Sequence, residues 1–390
     1  TVPDLSSFSS LQVLRLESNE LNGTLHEGIG QLSNLRELRL GNNSLEGLIS
    51  EAHFSKLSML LTLDLSHNSL VFNISNEWLP PFDLMFIKLA SCILRPDFPK
   101  WLQTEHNMNW VDISEAEITG TVPNWFWEFL PMLSKLNLSH NHINGKIENL
   151  PLIPHKSALQ IDLSSNSFEG NIPKCISNLS AMASQANLKV DIFYAYDDYY
   201  DDFDGGNIFG VNADSASLIW KGKLSKYRST LGLLRSIDFS SNRLNGEIPS
   251  EMMSLVGLIS LNISRNKLVG EIPQGIGQLK SLDFLDLSRN QLSGRIPLQL
   301  SQVDLLGVLD ISYNDLSGQI PLGTQLQTRD ASAYIGNPKL CGAPLNKTCL
   351  IPDQNQVDED LITKNNYLLR GSTLLWQWDL LWGFGEFAAH

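Results

Sequence analysis

Apolar residues return along this chain in one frame, L-x-x-L-x-L-x-x-N-x-L, with a period of about 24 residues. Its polar landmark is an asparagine, at Asn19, Asn43, Asn68, Asn141, Asn166, Asn242, Asn266, Asn290 and Asn314. Within one frame, Leu285 and Leu287 alternate, which predicts a short strand with both side chains inward; Leu282 and Leu292 close the same apolar layer. Asn290 falls where the chain turns off the strand. There its amide can satisfy backbone groups of its own coil and of the neighbouring one, and each group left unpaired by losing it would cost roughly 1–3 kcal/mol. The second half of the unit, Ser293-Gly294-Arg295-Ile296-Pro297, follows an S/N-G-x-I-P pattern: glycine permits a turn and proline limits further pairing. One such coil cannot bury its own apolar face, so the pattern predicts a stacked solenoid.

Eleven coils are expected, keyed by the nine asparagines and by Cys92 and Ala116 at equivalent positions. Cysteine is an accepted substitute in such repeats. Alanine has no side-chain hydrogen bond to offer, so a local defect or a bridging water is expected at Ala116.

The phase slips by 76 residues between Asn166 and Asn242, about three repeat lengths. The expected organisation is therefore seven coils over 1–179, an inserted island over 180–230, four coils over 231–325, a cap over 326–352 and an acidic stretch with an atypical tail over 353–390. The first coil has no cap before it, so the chain reads as a fragment. The island carries Tyr194, Tyr196, Tyr199 and Tyr200 among six aspartates between Asp191 and Asp204. A long interruption of this kind is often functional, and tyrosines give large contact area at low entropic cost. The aspartates lack the ligand order of a calcium loop, and no cofactor or metal is expected; a solvated loop is the plainer reading of 195–210.

The net charge of −14 disfavours a nucleic-acid partner, which needs clustered Lys and Arg. A disulfide between the closely spaced Cys341 and Cys349 would staple the end of the array, whereas Cys92 and Cys175 read as buried thiols. Seven N-x-S/T sequons, at Asn22, Asn42, Asn73, Asn137, Asn178, Asn262 and Asn346, favour an extracellular chain bearing N-glycans. The eight histidines are scattered and none joins a nucleophile motif, so no enzyme is expected.

Four stretches go beyond the generic repeat: Leu89-Ala90-Ser91-Cys92 with Phe98-Pro99-Lys100-Trp101-Leu102; Val122-Pro123-Asn124-Trp125-Phe126-Trp127; Trp220-Lys221-Gly222-Lys223 to Tyr227, leading to Asn242; and Gly336-Asn337-Pro338-Lys339-Leu340-Cys341-Gly342 through Cys349. With these the chain resembles the plant leucine-rich repeat receptor-like proteins, cell-surface immune receptors without a kinase domain. The resemblance implies a plant-type leucine-rich repeat fold: an α/β solenoid, a right-handed superhelix or horseshoe with short parallel strands on the concave face. It implies a protein or peptide ligand of microbial origin, a co-receptor kinase of the somatic-embryogenesis type and an adaptor receptor-like kinase. In the intact family protein it implies a single-pass type I membrane location. Carried over by position, Lys221, Gly222 and Tyr227 organise the island, and Arg265, Arg289 and Tyr313, each just before a ladder asparagine, face solvent where a co-receptor would meet them. Two related readings share the repeat: a secreted inhibitor resembling those of polygalacturonase, and a developmental receptor-like protein.

The family's membrane span is missing after Asp358-Glu359-Asp360: Gln377, Asp379 and Glu386 interrupt 372–390, and no run of about 20 apolar residues occurs. A reading-frame change would account for this, whereas an amphipathic or disordered tail needs none. Read from the third codon base, Trp376–Gln377 forces alanine, Trp378–Asp379 and Trp382–Gly383 force glycines, and the remaining codons permit an apolar, small-residue helix.

Overall fold

The computed structural model describes residues 1–94, 96–130, 133–147, 160–183 and 235–349, together with the backbone of a hairpin within 216–227. The body that it describes runs from Thr1 to Lys347.

Eleven three-residue strands form one parallel sheet, in the order of the chain. The first is Val13–Arg15 and the last Val308–Asp310, each in register with the strand of the next coil. The central residue of each strand is apolar and, from the second coil on, buried: Leu38, Ile87, Ile237 and Leu285 have no exposed surface. Its two neighbours face away from the core, as the two-residue alternation of a strand requires. On the opposite side, prolines end the second half of most coils and lead into short helical turns. Pro249, Pro273 and Pro297 precede Ser250–Ser254, Gln274–Gln278 and Leu298–Gln302. Fixed φ suits proline to a helix start, and the missing N–H costs nothing there.

The N-G-x-I-P half also forms strands, a feature that the expected turn did not include. Thr119–Thr121, His142–Gly145, Ser167–Asn171, Arg243–Glu247 and Lys267–Val269 make a second parallel sheet, and two three-stranded sheets flank it. The signal is the alternation in Arg243-Leu244-Asn245, where only Leu244 is buried. The glycine keeps its turn role: Gly246 has φ +72, and a Cβ there would lie 2.3 Å from the Asn171 amide oxygen.

Asparagine amides stitch the coils together. Asn290 Nδ2 donates to Ile263 O of the preceding coil at 3.0 Å and to Leu287 O of its own at 3.1 Å, while its Oδ1 accepts from Leu268 N at 3.0 Å. Asn43, Asn68, Asn141, Asn166, Asn242, Asn266 and Asn314 make the same set. Asn19, in the first coil, donates only to Leu16 and Glu17. Asn337 adds a further rung inside the expected cap: it accepts from Leu316 N and donates to Ile311 O, both at 3.0 Å. The frame hides this rung because Asn337 is followed by Pro338 and its leucine comes one residue late.

Position 116 is closed by backbone. Leu94 N–H, which an asparagine would have taken, donates to the Ala116 carbonyl at 3.0 Å, and Cys92 N–H donates to Leu89 O at 3.0 Å. Both flanking residues, Glu115 and Glu117, have positive φ, whereas the other coils place only the residue before the rung there. The extra left-handed residue accounts for the turned carbonyl. At 92 the thiol stands in, donating to Leu65 O at 3.2 Å.

The insertion does not interrupt the main sheet. Gln160–Asp162 pairs directly with Ser236–Asp238, and coil seven extends past 179, since Met182 is fully buried and its carbonyl accepts from Gly257 N at 2.8 Å. Within the insertion, Ala216–Trp220 and Lys223–Tyr227 form an antiparallel hairpin, with Tyr227 opposite Ala216. Tyr194, Tyr196, Tyr199, Tyr200, Lys221, Gly222 and the whole of 350–390 lie outside the described residues.

Candidate interaction surface

The outward positions of the eleven strands make two columns on the open face of the main sheet. Their chemistry changes along the array. In the third strand position, Arg15, Arg39 and Lys88 occur in the first coils, whereas Asp162, Asp238, Asp286 and Asp310 dominate the last. Near the start, Glu37 is buried between two guanidiniums: Arg15 Nη2 lies 2.8 Å and Arg39 Nε 3.4 Å from its Oε2.

Trp110 occupies the middle of this face. Lys88, on the strand before, and Lys135, on the strand after, each place Nζ 4.1 Å from the centre of its ring. Two ammoniums held against one indole form a cation–π arrangement of a kind that draws carboxylates and aromatic groups. Asp64 Oδ2 stands 4.0 Å from Lys88 Nζ. Sequence reasoning did not single out these three residues, because outward strand positions vary freely in such a fold.

In the acidic column, each aspartate or asparagine also builds the turn that follows. Asp112 Oδ1 accepts from the Ser114 hydroxyl at 2.7 Å, and Asn262 Oδ1 from the Ser264 hydroxyl at 2.7 Å. Asn262 Nδ2 donates to Asp238 Oδ2 at 2.9 Å, bridging two coils. Burial raises the carboxyls of Asp238 and Asp286 above the usual range, and burial with the neighbouring Asp238 pushes Asp162 up to about 7.

The residue before each rung sits in the left-handed region. Arg265, Arg289 and Tyr313 have φ of 54°, 54° and 53°, and all three are exposed. The Arg289 guanidinium lies over the Tyr313 ring, 4.3 Å from its centre. Among the sequons, Asn22, Asn42, Asn73 and Asn346 are exposed, Asn178 is half-buried, and Asn137 and Asn262 lie on the open sheet face. Cys341 and Cys349 are both disulfide-bonded; Cys92 and Cys175 are thiols outside any disulfide, and burial pushes the Cys92 thiol up to about 12. Cys175 is only half-buried. Among the described residues no cluster of His, Cys, Asp and Glu is arranged to hold a metal, and no helix is long and apolar enough to cross a membrane.

Leucine rich repeat models match residues 9–70, 159–179 and 232–292. Receptor-like protein EIX2 of Solanum lycopersicum is 38% identical over 210 residues, which is 54% of this chain and 18% of that protein. Receptor-like protein EIX1 of the same plant is 48% identical over 131 residues, 34% of this chain and 13% of that one. The chain carries leucine-rich repeats and is similar over these stretches to receptor-like proteins of plants. Receptor like protein 23 of Arabidopsis thaliana is 33% identical over 44% of this chain and 19% of its own length. The match to this chain thus spans no more than about a fifth of these receptor-like proteins. Among solved structures, a TDR receptor superposes with a TM-score of 0.59 at 25% identity, over 80% of this chain and 45% of that receptor. PEPR1 with AtPEP1 superposes at 0.60 and 23% identity, over 86% and 43%, a likeness of fold alone.

Proposed function

We propose that this receptor-like chain is the ligand-binding, non-enzymatic ectodomain part of a plant defence receptor. It recognises a pathogen-derived protein or peptide and signals through partner kinases: a somatic-embryogenesis-type co-receptor and an adaptor receptor-like kinase. The observation that carries the reading is the Lys88–Trp110–Lys135 group on an unbroken parallel sheet. An aromatic ring held between two cations gives a flat face one specific anchor, and interface energy concentrates at such tryptophans. Arg265, Arg289 and Tyr313 in the last coils are the proposed co-receptor contacts, Tyr194, Tyr196, Tyr199, Tyr200, Lys221, Gly222 and Tyr227 the proposed island contacts, and the cell surface the proposed location.

The test is capture of secreted pathogen proteins on the immobilised chain, comparing wild type with Trp110→Ala and with Lys88→Glu/Lys135→Glu. The expected result is a captured protein lost from both variants. Equal capture by wild type and variants removes the sheet face from the ligand site.

A further inference from the structure

The protein is strongly acidic overall, yet exposed cationic side chains recur along one edge of its last coils, interspersed with Glu247 and with Asp315, the latter paired to Lys339. Arg265 and Arg289 occupy the same turn position in successive coils, and their backbones are tied to the next turn: Arg265 N donates to Ser288 O and Arg289 N to Ser312 O, each at 2.9 Å. Two residues further along the chain from Arg265 lies Lys267, and Arg243 holds the equivalent place one coil earlier. All four are exposed, and among the described residues none forms an ion pair, although Glu169 stands opposite Arg243 in the strand register.

Stacking like charges in adjacent coils is unfavourable to folding, as like charges across a strand pair are. Long side chains at positive φ add a further backbone cost. The arrangement therefore does not serve stability. Apolar groups stand among the cations: Val269, on the same strand face as Lys267, is 38% exposed, and Tyr313, under the Arg289 guanidinium, is 44% exposed. Arginine and tyrosine side by side with an exposed aliphatic residue match protein interfaces, whereas a purely anionic polymer has no use for the apolar members.

We propose that this edge, carrying Arg243, Arg265, Lys267 and Arg289 with Val269 and Tyr313 among them, docks a carboxylate-rich segment of a second protein that also bears apolar or aromatic side chains. This rests on the reading of the chain as a receptor that recruits a partner through its last coils, and it specifies that partner's chemistry. The stacked Arg289–Tyr313 pair is pre-ordered, so binding orders fewer side chains.

The experiment uses the full chain and three probes in fluorescence anisotropy at low and high salt. The probes are a short synthetic peptide of glutamates interspersed with leucine and tyrosine, an all-glutamate peptide, and an oligogalacturonate. The mixed peptide is expected to bind most tightly. Its binding should weaken with salt and fall at least about tenfold in Arg265→Glu/Arg289→Glu. Lys100→Glu, a charge reversal at an exposed residue elsewhere, should bind as wild type does. Arg265→Gln/Arg289→Gln should show a smaller loss with an unchanged melting curve, which separates a lost contact from a lost fold. No binding of the mixed peptide, equal binding by the reversal variant, or tighter binding of either other probe overturns the proposal. Capture through Lys88, Trp110 and Lys135 is a separate measurement, so failure of the ligand site on the sheet and failure of this docking edge are told apart.

Discussion

Asn242 Nδ2 donates to the carbonyl of Leu163 at 2.9 Å, although the two residues are 79 positions apart. The same amide accepts from Phe168 N at 2.9 Å, so this one side chain bonds both ends of the junction across the insertion, beside the paired strands. Neighbouring coils elsewhere are tied by short chain connections as well as by their rungs. At this junction the connection is long, and the rung and strand pairing carry the register.

Asn242→Ala should therefore be far more damaging than Asn19→Ala. The first leaves Phe168 N–H unpaired in a largely buried layer, at roughly 1–3 kcal/mol, and strips Leu163 C=O of one of its two amide donors, the other being Asn166 Nδ2 at 3.2 Å. The second removes only exposed local bonds and should change stability by under about 0.5 kcal/mol. Urea unfolding of both variants, with hydrogen exchange at Phe168, measures the difference; equal losses would show that the insertion junction is held by something else.

Glu105 is completely buried. Its Oε2 accepts from Leu84 N while its Oε1 has no partner. Burial pushes its carboxyl up to about 8, so the folded protein holds it protonated at neutral pH while the unfolded chain ionises near 4.5. The associated stability is complete below pH 4.5 and is lost as pH rises toward 8. On that range the loss at neutral pH is on the order of 3 kcal/mol. Glu105→Gln keeps the acceptor for Leu84 and removes the titration. It should raise the melting temperature at pH 7.5 and leave it nearly unchanged at pH 4.5; a shift of equal size at both values would mean that ionisation is not the cause.

The repeat was legible because its columns are set by burial and backbone pairing, which tolerate few residue types. Leu285, Leu287 and Asn290 sit where only an apolar side chain or a short amide fits. The second sheet was missed because Gly246 and Ile248-Pro249 read as turn residues, although Leu244 between polar neighbours already carries the strand alternation. Of the candidate surface, Arg289 and Tyr313 could be placed in a column but their stacking could not, since it depends on rotamers across two coils. Lys88, Trp110 and Lys135 sit at outward positions with no compositional rule, and only the sheet register brings them together.

Ala116 tests how far the consensus can be trusted. The pattern suggests that restoring an asparagine would stabilise the ladder. In the structure Leu94 N–H already has the Ala116 carbonyl, and Ala116 is fully buried. A larger polar side chain would have to displace that bond and draw Glu117 out of its left-handed conformation. Ala116→Asn is therefore expected to give no gain, and a loss of roughly 1–3 kcal/mol if the overpacked turn does not rearrange. A rise in melting temperature on this substitution would show that the backbone closure is weaker than the amide rung.

Asn262 connects the acidic column of the sheet to pH. It separates Asp238 from Asp286 on adjacent strands and donates to the former. Burial already raises both carboxyls in the folded state. The stability linked to them is therefore present at low pH and lost as pH rises through their elevated values. Asn262→Asp removes the bridging donor and adds a third acid to the row, so the loss at neutral pH should be about 2 kcal/mol or more. Below about pH 4 the new side chain is protonated, regains a donor, and the variant should approach wild type. The same change follows enzymatic removal of an N-glycan from this sequon, so the experiment also has meaning for a glycosylated sample. Melting curves of wild type and Asn262→Asp from pH 3.5 to 8 make the comparison, and parallel curves across that range would show that the acid column is solvated and that its carboxylates do not sense one another.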